Sequence, residues 1–415
     1  MTQNSSIYPM NALQWETYED WNQDREMTEY NTTVAMDALR ENISADRMAQ
    51  ACQHVLDSQR YLHAHLTEQE GEILICEDPE MPNHVWRHEM TDEEWEQRQE
   101  ELIRPFRLFE EPSARLHVVA TETRTILVVE THHLFFDGTA HKALWFAVID
   151  VLHGQEPCQQ GDAARDFYLQ ETAAYGSEAY LRAQQYYKEA LAGAHFTDIC
   201  LDSDSPWGRI IVARPHFPAS VIDTGCKRLG LSFAVVFNAA YALALSQMSG
   251  EQKVVFLNNS HGRNRKLNEK IYGNFLSCLP ILIDTDRQQT VRELLAQTKS
   301  QMFISMRNKV YPLYHMLRDL GFDDTGTEMS PQGVYIREFV TIDGIEYPTY
   351  HIEADLSLQH LCTCILIRGE EYEVAVNGSD ALYTQEQLDT LARLTGEYAI
   401  KLTTSDETDS ISGLR

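Results

Sequence analysis

Apolar residues recur along this chain at two spacings, and the spacing separates helices from strands. Between Ala45 and Arg60, Met48, Cys52, Val55 and Leu56 stand three or four positions apart, which predicts an amphipathic helix with one buried stripe. Leu116–Ala120 is strand-like, and TILVVETHHLFFDG, from Thr125 to Gly138, reads as a largely apolar run. They predict buried strands, the second turning sharply at its end. Leu144–Leu152 is helical in spacing, as is Asp162–Leu191, rich in Tyr and Ala and followed by Gly193 as a C-cap. Ser232 is placed to cap a helix that runs through Met248, is apolar on nearly every side and stops at Gly250. Strands are predicted at Val254–Asn259 and Leu279–Asp284. A helix is predicted at Val291–Met302, where Val291, Leu294, Leu295, Thr298 and Met302 align. Thr384 and Gln387 form a capping box that opens a last helix through Leu402. Residues 403–415 are polar and Ser/Thr/Asp-rich, and read as a linker or a disordered end. Helices and strands alternate throughout without repeats, which predicts a mixed α/β protein.

Length and charge narrow the class. At 415 residues, about two domains or lobes are expected. The 63 acidic and 34 basic side chains give a net charge of −29, which argues against nucleic acid and against an anionic membrane surface. No apolar run approaches the roughly 20 residues that span a bilayer. The opening MTQNSSIYPMN has no basic start and no apolar core, so a cytoplasmic location is expected. The eight cysteines are scattered except for Cys362 and Cys364, which share one face of a predicted strand. Without a second ligand pair they read as reduced, mostly buried thiols rather than a zinc site.

The densest chemistry lies at His132-His133-Leu134-Phe135-Phe136-Asp137-Gly138. Imidazole both takes and gives a proton near neutral pH, and a buried strand delivers the pair to an element end. Neighbours on a regular strand point to opposite faces, so one histidine is expected in the active site and the other in a supporting role. Asp137, past the strand, is placed to fix the turn by pairing with a cation or by holding a histidine tautomer. Gly138 permits a tight turn or a close backbone approach. An isolated His-His pair at a strand end reads more simply as core; the attached Asp-Gly tips the balance toward catalysis.

This motif resembles the active-site signature of the condensation domains of nonribosomal peptide synthetases, which are kin to chloramphenicol acetyltransferase. Tyr8–Tyr18 looks like the family's opening Y-P-x-x-x-x-Q segment, and Arg104–Val119 is similar to its P-F-x-L-x-x-x-P-x-x-R block. His261–Ile283 resembles the G-R…G-x-F-x-N-x-L-P-L stretch, with Ser277 and Cys278 departing from the usual Asn-Thr. EADLSLQ, at 353–359, and the closing helix also match. The resemblance implies two acetyltransferase-like lobes in a V-shaped pseudo-dimer with a central tunnel. The first, 1–175, carries the motif, the second spans 176–402, and 403–415 is the linker. It implies His133 as the catalytic histidine, His132 as its support, and Asp137 with Gly138 as the structural end of the motif. Arg263 is the match for the arginine that pairs with Asp137, and Arg115 is a second candidate. No bound cofactor or metal is implied. The 4′-phosphopantetheine arms come on partner carrier proteins, or as CoA on the acyl donor.

The implied reaction is aminolysis of an acyl thioester by a carrier-bound aminoacyl amine, with no covalent enzyme intermediate, since G-x-S-x-G is absent. Thr139-Ala140-His141 stands where epimerising relatives usually have V-S-W, and Gly273-Asn274-Phe275 looks like the condensing type. Ala140 occupies a position usually held by Ser. Met1 lies just ahead of the first motif, which suggests an N-terminal starter domain that N-acylates the first amino acid with a fatty acyl group. A stand-alone or chain-extending condensing enzyme is the alternative. A different class, an inactive platform that recruits tailoring enzymes, is disfavoured by the intact motif. Expected partners are an acyl carrier protein or acyl-CoA, a peptidyl carrier protein and an adjacent adenylation domain, with the isolated domain a monomer. The run Thr91–Glu101 reads as a solvated helix face, and Arg263–Lys266 as an exposed basic loop apart from Arg263. Docking of acidic carriers on so acidic a chain is expected to be weak and salt-sensitive.

Overall fold

The computed structural model describes residues 6–201, 208–263, 269–321, 328–330, 339–352 and 361–414. Two units emerge, each mixed α/β. The first is built from the chain up to Ala173 and takes back two later stretches, His261–Leu276 and the hairpin around 339–351. The second comprises the remainder.

In the first unit a six-stranded sheet runs in the order Phe339–Ile342, Ile345–His351, Asn31–Leu39, Arg124–His132, Ala114–Ala120, Trp86–Glu89. All pairs are antiparallel except the last, which is parallel. Arg124–His132 is buried on both faces, which is why it reads as a continuous apolar run rather than an alternating one. Its Leu127 and Val129 join Val34 and Met36 in the main core, beneath Met48, Cys52, Val55 and Leu56 of the helix Ala45–Ser58. Ile126 and Val128 face the other way, onto Trp95 and Leu102. Trp95 lies on the helix Asp92–Arg98, capped by Thr91 and Glu94, so this segment is not solvated on every side. A smaller sheet joins Ser6–Pro9, Glu72–Glu77 and Ala64–Gln69.

The second unit holds a seven-stranded sheet in which Lys253–Ser260 lies between Ser277–Asp284 and Glu328–Ser330, followed by Cys362–Arg368 and Glu371–Ser379. The helix Phe233–Ser249 is buried from Ala234 through Ser246 and ends at Gly250, whose φ of 80° suits glycine. Ser232 is its N-cap, without a side-chain bond.

Four expectations need correction. The helix after the motif begins at Gly138, not near Leu144, because the Asp137 side chain caps it; Gly138 is thus the first helical residue and not a turn. Asp162–Leu191 is two helices, Ala163–Ala173 and Glu178–Ala190, and Gly176 sits between them at a φ of 75°. The thiols are not mostly buried: Cys52, Cys76 and Cys226 are, Cys158 and Cys200 are exposed, and the other three lie between. The end of the chain is not a disordered tail. Val291 and Arg292 donate backbone bonds to Asp409 and Glu407, and Ile411 donates to Gln289. Ile411 and Leu414 are buried in the second unit's core. Ile411→Ala is therefore expected to lower stability by about 2–5 kcal/mol, read as a shifted denaturant midpoint. An unchanged midpoint contradicts this docking. The stretches 353–359 and 264–268 lie outside the described residues.

Candidate active site

All side chains of the candidate site belong to the first unit. Register places Arg115 opposite Glu130 and Thr131 opposite Thr32, so odd positions at the end of the motif strand share the main-core face and even positions the other. His132 follows Glu130 onto the second face. There Phe106 meets its ring edge-on at 5.7 Å and Tyr30 lies at 5.9 Å. Its Nδ1 accepts the Leu134 N–H at 3.2 Å, which puts the proton on Nε2. Burial pushes its pKa down to about 3, with smaller contributions from His133 and Arg115. His132 is a neutral, packed residue, as a supporting role requires.

His133 leaves the strand and is only partly buried. Its backbone N–H donates to Tyr30 O at 2.7 Å, and its carbonyl oxygen accepts from Asn274 Nδ2 at 2.7 Å. The Asn274 amide is oriented by Leu276 N–H, which donates to Oδ1 at 3.3 Å, so its NH₂ must face His133. The same NH₂ lies 3.4 Å from the ring's Nδ1. Burial holds the pKa below the ordinary imidazole value, and the Asp137 carboxylate opposes that shift.

Asp137 ends the motif. Its Oδ1 accepts from Arg263 Nη2 at 2.7 Å and from Ala140 N–H at 2.7 Å, and its Oδ2 accepts from Phe275 N–H at 3.1 Å. The Arg263 guanidinium lies over the Phe275 ring at 4.7 Å and donates to Ile271 O at 2.7 Å. Gly262 makes this approach possible: it has a φ of 58°, and a Cβ there would lie 1.6 Å from Phe275 O. Of the two candidate arginines, Arg263 is thus the one paired with Asp137. Arg115 instead bonds buried Glu130 at 3.0 Å and Glu111 at 2.5 Å, and covers Phe106 at 3.8 Å. It supports the wall behind His132.

The sequence profile of the family described as "Condensation domain" matches residues 4–331. The chain belongs to the condensation domain family. Such domains are amide-forming acyltransferases that work with carrier proteins and adenylation domains. Among similar proteins, surfactin synthase subunit 2 of Bacillus subtilis (strain 168) is 23% identical over 324 residues, covering 76% of this chain. Tyrocidine synthase 3 of Brevibacillus parabrevis is 21% identical over 325 residues, again 76% of the chain. The chain spans only 9% and 5% of the lengths of these relatives. The starter condensation domain of rhizomide synthetase RzmA superposes with a TM-score of 0.79 at 15% identity, covering 98% of both chains. The first condensation domain of the calcium-dependent antibiotic synthetase, in complex with a substrate analogue, gives 0.79 at 16%, with 98% and 98% covered. These two likenesses carry the fold: mixed α/β in two lobes.

Four further residues support this condensation domain's site: Asn274 and Gln14 lie in segments that resemble the family's, while Tyr168 and Tyr61 carried no signal in the sequence. Asn274 holds His133, as described. Tyr168 accepts the Asn274 N–H at 2.8 Å, and Tyr61 donates to Phe135 O at 2.8 Å within the motif turn. Gln14 of the opening segment donates to Leu134 O at 3.2 Å. The opening segment therefore belongs to the site's scaffold, a role its place 120 residues upstream did not reveal.

Stability of this site depends on pH with a definite sign. His132 and His141 both titrate near about 3 when folded, but near about 6.5 when unfolded. Between those values the unfolded chain binds more protons, so their contribution is complete above about 6.5 and declines as pH falls through the window. A His132→Phe chain is expected to lose less stability than the parent between about pH 7.5 and about pH 5. Equal losses in urea melts rule this out.

Proposed function

We propose that this domain N-acylates an amino acid, joining a fatty acyl group delivered as a thioester to the amine of an aminoacyl thioester on a carrier protein. The observation that carries the reading is His133: a partly exposed imidazole whose pKa burial holds below the ordinary value, on a turn fixed by Tyr30 and Asn274. The amine nitrogen attacks the acyl carbonyl carbon and passes a proton to the His133 imidazole. The tetrahedral intermediate then collapses to the amide, and the thiolate leaves with a proton returned by His133. Asp137 and Arg263 fix the turn that presents the ring and do not touch the reactants. His132 and Arg115 hold the wall behind it.

A starter role is favoured over chain extension by the fold neighbours, which include a starter condensation domain solved in complex with C8-CoA. The donor is then an acyl-CoA or an acyl carrier protein. Both reacting groups arrive on phosphopantetheine arms or CoA, so the protein itself supplies no cofactor. The test is a mass-spectrometric assay with a panel of acyl-CoAs and an aminoacyl carrier protein. N-acylated aminoacyl carrier is expected. Product from a peptidyl donor and none from any acyl donor replaces the starter reading with chain extension.

A further inference from the structure

Ala140 lacks the hydroxyl usual at its position, and the next residue, His141, is a buried imidazole to which the reaction above assigns no part. It sits in the first turn of the helix that Asp137 caps, with its backbone N–H bonded to Asp137 O at 2.9 Å. Its side chain reaches back to the motif strand, where Nδ1 meets Thr131 Oγ1 at 2.8 Å. Thr131 lies in the strand that ends at His132, two residues before His133, and both His351 and His133 add to the burial that lowers the pKa of His141. His141 is 1% exposed, and its Nε2 has no hydrogen-bond partner among the described residues.

The tautomer follows from counting hydrogens. If Nδ1 carried the proton and donated to Thr131, the buried threonine O–H and the imidazole Nε2 would both go unpaired. If the threonine O–H donates to Nδ1, a single donor is left over, the Nε2–H. The second arrangement leaves fewer buried groups unsatisfied and is the stable one. Burial keeps the ring neutral, with its pKa pushed down to about 3. The result is a neutral N–H donor, held in place by Thr131 and lacking an acceptor among the described residues, in the helix turn that follows the imidazole proposed to move the proton.

We propose that the His141 Nε2–H donates a hydrogen bond to the carbonyl oxygen of the acyl thioester and strengthens it as that oxygen gains charge in the tetrahedral intermediate. The inference rests on the acyl-transfer reading of the site. Buried donors without partners are uncommon because each costs free energy, and one aimed where negative charge develops recovers that cost during reaction. A neutral donor also spares the attacking amine the repulsion that an imidazolium would impose.

The experiment uses the full chain with acyl-CoA and aminoacyl carrier, comparing wild type with His141→Leu, His141→Gln and Thr131→Val. His141→Leu is expected to lower kcat about 10²–10³-fold, the usual effect of removing one such donor, with KM for the acyl donor nearly unchanged. His141→Gln, which keeps an N–H donor, is expected to recover part of the loss. Thr131→Val, which releases the tautomer, falls between. A leucine variant within about threefold of wild type overturns the proposal. So does a loss confined to KM, or one that glutamine leaves uncorrected. A separate measurement stands apart from turnover: nitrogen NMR of the imidazoles, with and without an acyl ketone in which a methylene replaces the thioester sulfur. A proton on Nε2 whose signal moves on ketone addition supports the assignment; a proton on Nδ1, or an unmoved signal, overturns it. If wild type makes no amide, the acyl-transfer reading fails on its own, and the NMR result still decides whether His141 meets a carbonyl.

Discussion

Asp137→Ala is expected to unfold the site and abolish amide formation together. The carboxylate accepts three bonds at once, from Arg263, from Ala140 N–H and from Phe275 N–H. Removing it strands a guanidinium that is only 5% exposed, takes the cap from the helix Gly138–Leu152, and frees the returning segment at Phe275. Breaking a buried pair by deleting one partner typically costs about 3–5 kcal/mol, and a lost cap about 0.5–2 kcal/mol. Because both act through one carboxylate they are not additive, and a loss of about 3–5 kcal/mol is the expected total. Asp137→Asn keeps the cap oxygen and gives up the charge, so it should fall between. Arg263→Leu strands the anion instead and should match the alanine variant. Denaturant melts decide the matter: an Asp137→Ala chain within about 1 kcal/mol of wild type means that the pair does not hold the site together.

His133→Ala should show the opposite balance. The ring is partly exposed, and the bonds at this residue that hold the turn, from Tyr30 and Asn274, run through its backbone. Stability should therefore change little. Carrier-dependent amide formation should fall by about 10²–10⁴, the range for a positioned proton-transfer group. His132→Ala should invert the pattern, because that ring fills the space between Phe106 and Tyr30 and cannot be removed without leaving a cavity. Amide formation by His133→Ala within tenfold of wild type, under single-turnover conditions, would remove the histidine from the chemistry.

The two histidines have different surroundings, as expected, but because the strand ends at His132 and His133 stands in the turn, not through strand alternation alone. The Asp137–Arg263 pair was reachable through the resemblance, yet the sequence also offered Arg115. The register settles that choice: Arg115 stands across from Glu130, an acid inside an otherwise apolar strand, and the two neutralise each other. Tyr168 was not legible, and the roles of Asn274 and Gln14 were hidden inside segments that resemble the family's, since each of the three bonds a backbone group far away in sequence, which leaves no mark on residue type. The closing segment failed for a related reason. Its polar composition hides two apolar side chains, Ile411 and Leu414, whose burial depends on an edge made by Gln289–Arg292.

The first unit's dependence on segments made late has a consequence for the nascent chain. On the ribosome, Asn31–Leu39 and Arg124–His132 are complete long before Ile345–His351, the strand that covers the far edge of Asn31–Leu39. Arg263 likewise emerges well after Asp137. At roughly 5–20 residues per second, the open edge and the unneutralised carboxylate persist for on the order of ten seconds. During that interval the half-made unit exposes a bare strand edge, the usual template for mispairing with a neighbouring chain. Yield of soluble protein should consequently depend on translation speed and chaperone supply more than the finished fold's stability implies.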